Sequence, residues 1–141
     1  MTDLGLENVN WLSVLAGGVI CMLVGGLWYG PIAGKAWMAE MGLTEAEVRE
    51  QGNPTGAMIK SFIASLFMCT GLAFILSMPA FRDSGWQGAM MTGFIMAILL
   101  VGGSSFPNYA FENKSLRHFL IHMGNTTIAM MLVGAMMGFW S

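Results

Sequence analysis

Along the whole chain, uncharged apolar runs of near-membrane length alternate with short charged links. No acid, lysine or arginine falls between Trp11 and Gly34, between Phe62 and Phe81, between Gly85 and Phe111, or between Phe119 and Ser141. The nineteen residues from Trp11 to Tyr29 rise about 28 Å as an α-helix, against a bilayer hydrocarbon core of ~30 Å. The pattern predicts an all-α integral membrane bundle of four transmembrane helices, over residues 11–30, 57–81, 86–106 and 119–140. Trp11 at one end of the first span, and Trp28 and Tyr29 at the other, are amphipathic aromatics suited to the headgroup level. Pro31 would stop or bend the first helix, Pro79 lies near the end of the second, and Pro107 closes the third. Arg82-Asp83-Ser84-Gly85 reads as a tight turn, which makes spans two and three antiparallel neighbours.

Residues 34–54 form the only sizeable polar stretch. Lys35 to Met41 places Trp37, Met38 and Met41 on one side of a short helix, with Gly42 as its C-cap. Thr44 with Glu47 three residues on is a capping box for a second short helix, and Asn53-Pro54 blocks its continuation. This amphipathic helical link between spans one and two is expected to lie on the membrane surface or under the bundle.

Composition agrees with the periodicity. The 141 residues leave room for one domain, residues 1–141. Charged residues are only 10% and hydrophobic residues 55%, whereas a soluble domain carries about 25% charged residues. A net charge of −2 without any basic run excludes nucleic acid as a partner. Residues before the first apolar run carry Asp3 and Glu7 and no lysine or arginine, unlike a cleavable signal, so the first helix is expected to stay. Cys21 and Cys69 fall midway along apolar stretches and read as small buried hydrophobes. The basic residues sort by side: Lys35, Arg49, Lys60, Lys114 and Arg117 at one face of the membrane, Arg82 alone at the other. Positive-inside bias then puts the link in the cytoplasm and both termini outside, in a bacterial cytoplasmic (inner) membrane.

Lipid tails are as apolar as leucine, so these helices must associate through small residues that let backbones approach. Candidate packing positions are Gly18, Gly26 and Gly30 on span one, and Ser61, Ser65 and Ala73 on span two. Gly93 and Ala97 serve span three, and Gly134 and Gly138 span four. At least one such face is expected to join another copy in a homo-oligomer, or a membrane protein partner. The fifteen methionines read as packing filler.

Candidate chemistry concentrates on span four. His118 and His122 are four apart and share a face, which Asn125 and Thr126 extend towards the membrane centre. Asn108, with Ser104 and Ser105, could meet that face from span three. Asn8, Asn10 and Trp11 make a polar entry on the opposite side. Three readings of the span-four face stand: a metal pair, a proton or solute path, and interhelical hydrogen bonding. No third ligand follows at a fixed spacing. G-x-S-x-G, P-loop and HExxH motifs are lacking, so neither catalysis nor a cofactor is expected.

Asn10-Trp11, Gly26-Leu27-Trp28-Tyr29, Gly34-Lys35-Ala36-Trp37, Met41-Gly42-Leu43-Thr44, Tyr109-Ala110-Phe111-Glu112 and Phe119-Leu120-Ile121 carry a family likeness. With them the chain resembles the small bacterial membrane proteins catalogued as domain of unknown function 1761, from Asn10 to Trp140. The stretch from Trp28 to Trp37 is the most specific part. The resemblance implies four membrane helices and a prokaryotic source, and no established activity. Three functions compete: an oligomeric transporter or channel using the polar face, an accessory subunit of a larger complex, and a metal-handling protein.

Overall fold

The computed structural model describes residues 7 and 9–140; Asp3 and Asn8 lie outside them. Helix α1 (Trp11–Leu27) runs into a π-helical turn, Trp28–Ile32. The link holds α2 (Gly34–Met41) and α3 (Glu45–Glu50). Helix α4 (Thr55–Ser77) returns. Helix α5 (Gly85–Met96) passes through a second π-helical turn, Ala97–Gly102, into α6 (Gly103–Phe111). Helix α7 (Leu116–Trp140) completes the chain. No strand occurs among the described residues. Four helical stretches are long and apolar enough to cross a membrane: Trp11–Ile32, Thr55–Ser77, Gly85–Phe111 and Leu116–Trp140.

Local chemistry sets the helix ends. The Asn10 side-chain oxygen accepts from the Leu12 and Ser13 amides, so the residue expected to form a polar entry caps α1. Gly42, at φ 69°, closes α2, with the Leu43 amide donating to the Met38 carbonyl. The Thr44 hydroxyl oxygen accepts from the Glu47 amide, and the hydroxyl donates to the Glu47 carboxylate. Met78 precedes Pro79 and is driven to extended backbone, ψ 145°, which ends α4 at Ser77 rather than near residue 81.

Two prolines act differently from expectation. The first span passes Pro31 and ends at Ile32, because the π-turn replaces the bond that Pro31 cannot donate: the Ala33 amide reaches the Trp28 carbonyl, 2.6 Å away. The third span continues through Pro107 to Phe111 instead of ending at residue 106. The Pro107 ring would crowd the Gly103 carbonyl, and the widened π-turn ends directly before that residue.

Helix α7 is the centre of the bundle, with α5 along one side, α1 along the other, and α4 lying mainly against α1. Glycines bring α5 and α7 into backbone contact. A Cβ at Gly93 would strike the Met130 carbonyl, one at Gly134 the Ala89 carbonyl, and one at Gly138 the Trp86 backbone. Gly18 receives Leu66 and Phe62 of α4, and neighbouring Gly17 receives Cys69 and Val133. Ala73 and Ala97 are buried. The apolar cluster of Val14, Leu72, Ala73, Val133 and Met137 fills the half of the bundle nearest the 78–84 turn. Outward faces present large apolar side chains, such as Leu15, Leu23, Phe67 and Leu132, as a lipid-facing surface requires.

Towards the link, α4 parts from α7. Gly26 and Gly30 therefore meet no other helix, and with Ser61 and Ser65 they border a cleft instead of a packed contact.

Candidate functional site

The cleft lies between α1, α4 and α7 and has a volume of about 730 Å³. Asn125 and Thr126 face it from α7, Ser61 and Ser65 from α4, and Tyr29 from the π-turn. Pro54 and Ala57 mark its link end, and Cys21 its deep end. Asn125 lines the cleft, while its side-chain oxygen is buried without a hydrogen-bond partner. A buried polar group left unpaired costs about 1–3 kcal/mol.

One helical turn above Asn125 stands a chain of three hydrogen-bonding side chains. The Tyr29 hydroxyl lies 2.5 Å from His122 Nδ1, and His122 Nε2 lies 3.0 Å from His118 Nε2. The two imidazoles stack, with centroids 4.8 Å apart. Tyr109 covers both from α6, at 5.6 Å from the His118 ring and 6.0 Å from the His122 ring. His118 is buried, at 4% exposure.

The π-turn positions this chain. Trp28 and Tyr29 both reach α7: the Trp28 indole N–H donates to the Ile121 carbonyl at 2.7 Å, and Tyr29 meets His122. The Trp28 ring lies where a Cβ on Gly124 would be. Gly34 lets α2 fold back beneath the turn, since a Cβ there would meet the Tyr29 carbonyl. Trp37 on α2 then packs edge-on against Tyr29, with centroids 6.1 Å apart. At the other end of α2, Glu40 accepts a hydrogen bond from the Ser115 hydroxyl at 2.8 Å and pairs with Arg117 at 3.8 Å. Ser115 in turn caps α7, its oxygen accepting from the His118 amide at 3.0 Å. The link is thereby fastened to the start of the helix that carries both histidines.

The chemistry of the chain follows from counting protons. A neutral imidazole donates from one nitrogen and accepts at the other. If Tyr29 donates to His122 Nδ1, His122 must donate from Nε2 to His118. If His118 donates instead, the order reverses and the tyrosine oxygen accepts. The first order becomes the second when one proton shifts in each hydrogen bond while a proton enters at the Tyr29 oxygen and another leaves from His118 Nδ1, which is the requirement for proton transfer along a wire.

Of the residues expected on the polar face, His118, His122, Asn125 and Thr126 come together. Asn108 is exposed and does not join them, and Ser104 only donates to the Val101 carbonyl one turn before it. Tyr109 takes the place foreseen for Asn108. Its neighbourhood stood out only through the family likeness, because one aromatic at a helix end carries no sign of its partner. Among the described residues, no group of three or more His, Cys, Asp or Glu side chains could hold a metal ion.

Four membrane-length helices, three of them around a largely apolar cleft with a few polar groups, define a small polytopic membrane protein. Within that class the chain belongs to the family described as protein of unknown function (DUF1761), whose model matches residues 12–138. No curated protein and no solved structure matches it. Four residues of the stretch from Trp28 to Trp37 build the site: Trp28 and Tyr29 bond α7, Gly34 admits the fold-back, and Trp37 packs on Tyr29.

Proposed function

We propose that the protein is a small proton-linked transporter or channel-like protein, working as a homo-oligomer in a bacterial cytoplasmic membrane. The cleft takes a small, largely apolar solute that carries a hydrogen-bond donor. Asn125 receives that donor, and Tyr29, His122 and His118 pass protons between the cleft and the link end of the bundle. The observation that carries this reading is the continuous Tyr29–His122–His118 chain, which begins at Tyr29 in the cleft wall and stands one turn from Asn125, another lining residue, whose buried side-chain oxygen lacks a partner. An intramembrane polar group without a partner is costly, and a bound ligand supplying the partner offsets that cost.

The basic residues orient the molecule. Lys35, Arg49, Lys60, Lys114 and Arg117 lie at the link end, with Arg82 at the other, so the link faces the cytoplasm and the termini face outwards. A cleft bounded by only three helices closes against another copy of the chain.

Proteoliposomes with an entrapped pH dye and an imposed potassium diffusion potential test the proposal. Wild-type protein should conduct protons above the level of empty vesicles. The His122→Ala/Asn125→Ala variant should not. Equal background flux from both would sink it.

A further inference from the structure

The deep end of the cleft carries a second feature, independent of the histidines. Cys21 of α1 and Cys69 of α4 are 48 positions apart in sequence, yet their sulfurs stand 4.0 Å apart. Both are free thiols buried in the bundle. Gly17 packs closely on Cys69, since a Cβ there would stand 2.8 Å from its sulfur. Cys21 is not sealed off, since it forms part of the cleft wall. The residues beside the cysteines in sequence, Met22 and Met68, line the same cleft, and Met68 packs against the apolar cluster that contains both thiols.

We propose that this is a binding site for a soft monovalent cation, Cu(I), held by the Cys21 and Cys69 sulfurs and a methionine thioether from Met22 or Met68. The geometry is the first reason. With metal–thiolate bonds of about 2.3 Å, sulfurs 4.0 Å apart subtend roughly 120° at the metal. That is the angle of trigonal three-coordination, one ligand short of which the thiol pair stands. The ligand set is the second. Thiolate and thioether select Cu(I), while magnesium, calcium and manganese need the oxygen donors that are missing among these four side chains. Both thiols give up their protons as their sulfurs bond the cation, the protons leave through the cleft, and no electron moves. A packing role alone does not account for a thiol pair, with Cys21 in the cleft wall, beside two methionines that line the same cleft.

The test uses full-length reduced protein in detergent, titrated anaerobically with Cu(I) against a chromophoric Cu(I) chelator. One cation should bind per chain, and X-ray absorption should show three sulfur neighbours at about 2.3 Å. Cys21→Ala and Cys69→Ala should abolish binding. Met22→Leu/Met68→Leu should weaken it by roughly tenfold or more, as loss of a supporting group does. Nitrogen neighbours in the wild-type spectrum would overturn the proposal in favour of His118 and His122, and need no variant to fold. Full Cu(I) retention by Cys21→Ala/Cys69→Ala would also overturn it. Unchanged affinity in Met22→Leu/Met68→Leu would remove the thioether from the site. The outcome does not depend on proton flux, so it can fail or hold apart from the transport reading.

Discussion

The Trp28 indole donates to the Ile121 carbonyl across 2.7 Å, and its ring occupies the space that a side chain on Gly124 would need. This contact locks the π-turn of the first span onto the central helix. Gly124→Ala should push Trp28 aside and destabilise the fold by about 1–3 kcal/mol, the usual cost of overpacking. Trp28→Phe, which keeps an aromatic body but loses the donor, should cost about 1 kcal/mol. Denaturant titration in mixed micelles, read by far-UV circular dichroism, would measure both.

The glycines of the bundle should fall into two classes. Gly93→Ala and Gly134→Ala drive a methyl group into the backbone of the facing helix and should each cost about 1–3 kcal/mol or more. Gly26→Ala and Gly30→Ala meet nothing within 4 Å. Gly26→Ala should leave stability unchanged or raise it by up to about 1 kcal/mol through helix propensity. Similar losses at all four positions in the same titration would mean that the cleft is closed in solution.

Removing one oxygen should separate function from fold at Tyr29. Tyr29→Phe keeps the edge contact to Trp37 but removes the hydroxyl that bonds His122. The expected stability change is about 1 kcal/mol, while proton flux in proteoliposomes falls to background. Wild-type flux from Tyr29→Phe would remove the tyrosine from the wire.

Asn125 should show the opposite sign in stability. Its oxygen is buried without a partner, so Asn125→Leu relieves a penalty and should be neutral or stabilising by about 1 kcal/mol. The same change should abolish flux. A variant that is strongly destabilised would mean that the amide bonds a neighbouring helix.

Orientation can be read on a background of Cys21→Ala and Cys69→Ala. A cysteine introduced at Ser84 should react with a membrane-impermeant maleimide applied to intact cells. One at Glu47 should react only after lysis. The reverse pattern would invert the proposed topology.

The sequence by itself determined the number of long helices and most of their ends. Those features are local. A membrane-length apolar run marks each span, and a cap needs only the few residues around it, as at Gly42 and Thr44; Asn10 was expected as a polar entry, not as the cap it forms. The stop at Met78 has an equally local cause in the proline next to it, yet the expected end near residue 81 overshot it. The His118–His122 pair was also legible, because a spacing of four sets two side chains on one helix face. Pro31 and Pro107 misled, since a π-turn beside each let the helix absorb it.

Tertiary structure alone decided what those histidines face. Tyr29 and His122 are 93 positions apart, as are Trp28 and Ile121, and no local rule links them. A soluble helix shows its inward side by its apolar stripe. Here both sides are apolar, because lipid and bundle interior are alike in polarity, so the pattern leaves each helix free to rotate about its axis. Close packing at Gly93, Gly134 and Gly17 fixes that rotation. With it come the parting of α4 from α7, the cleft, the tyrosine–histidine chain that begins at Tyr29 in its wall, and Cys21 at its floor with the Cys69 sulfur 4.0 Å from its own.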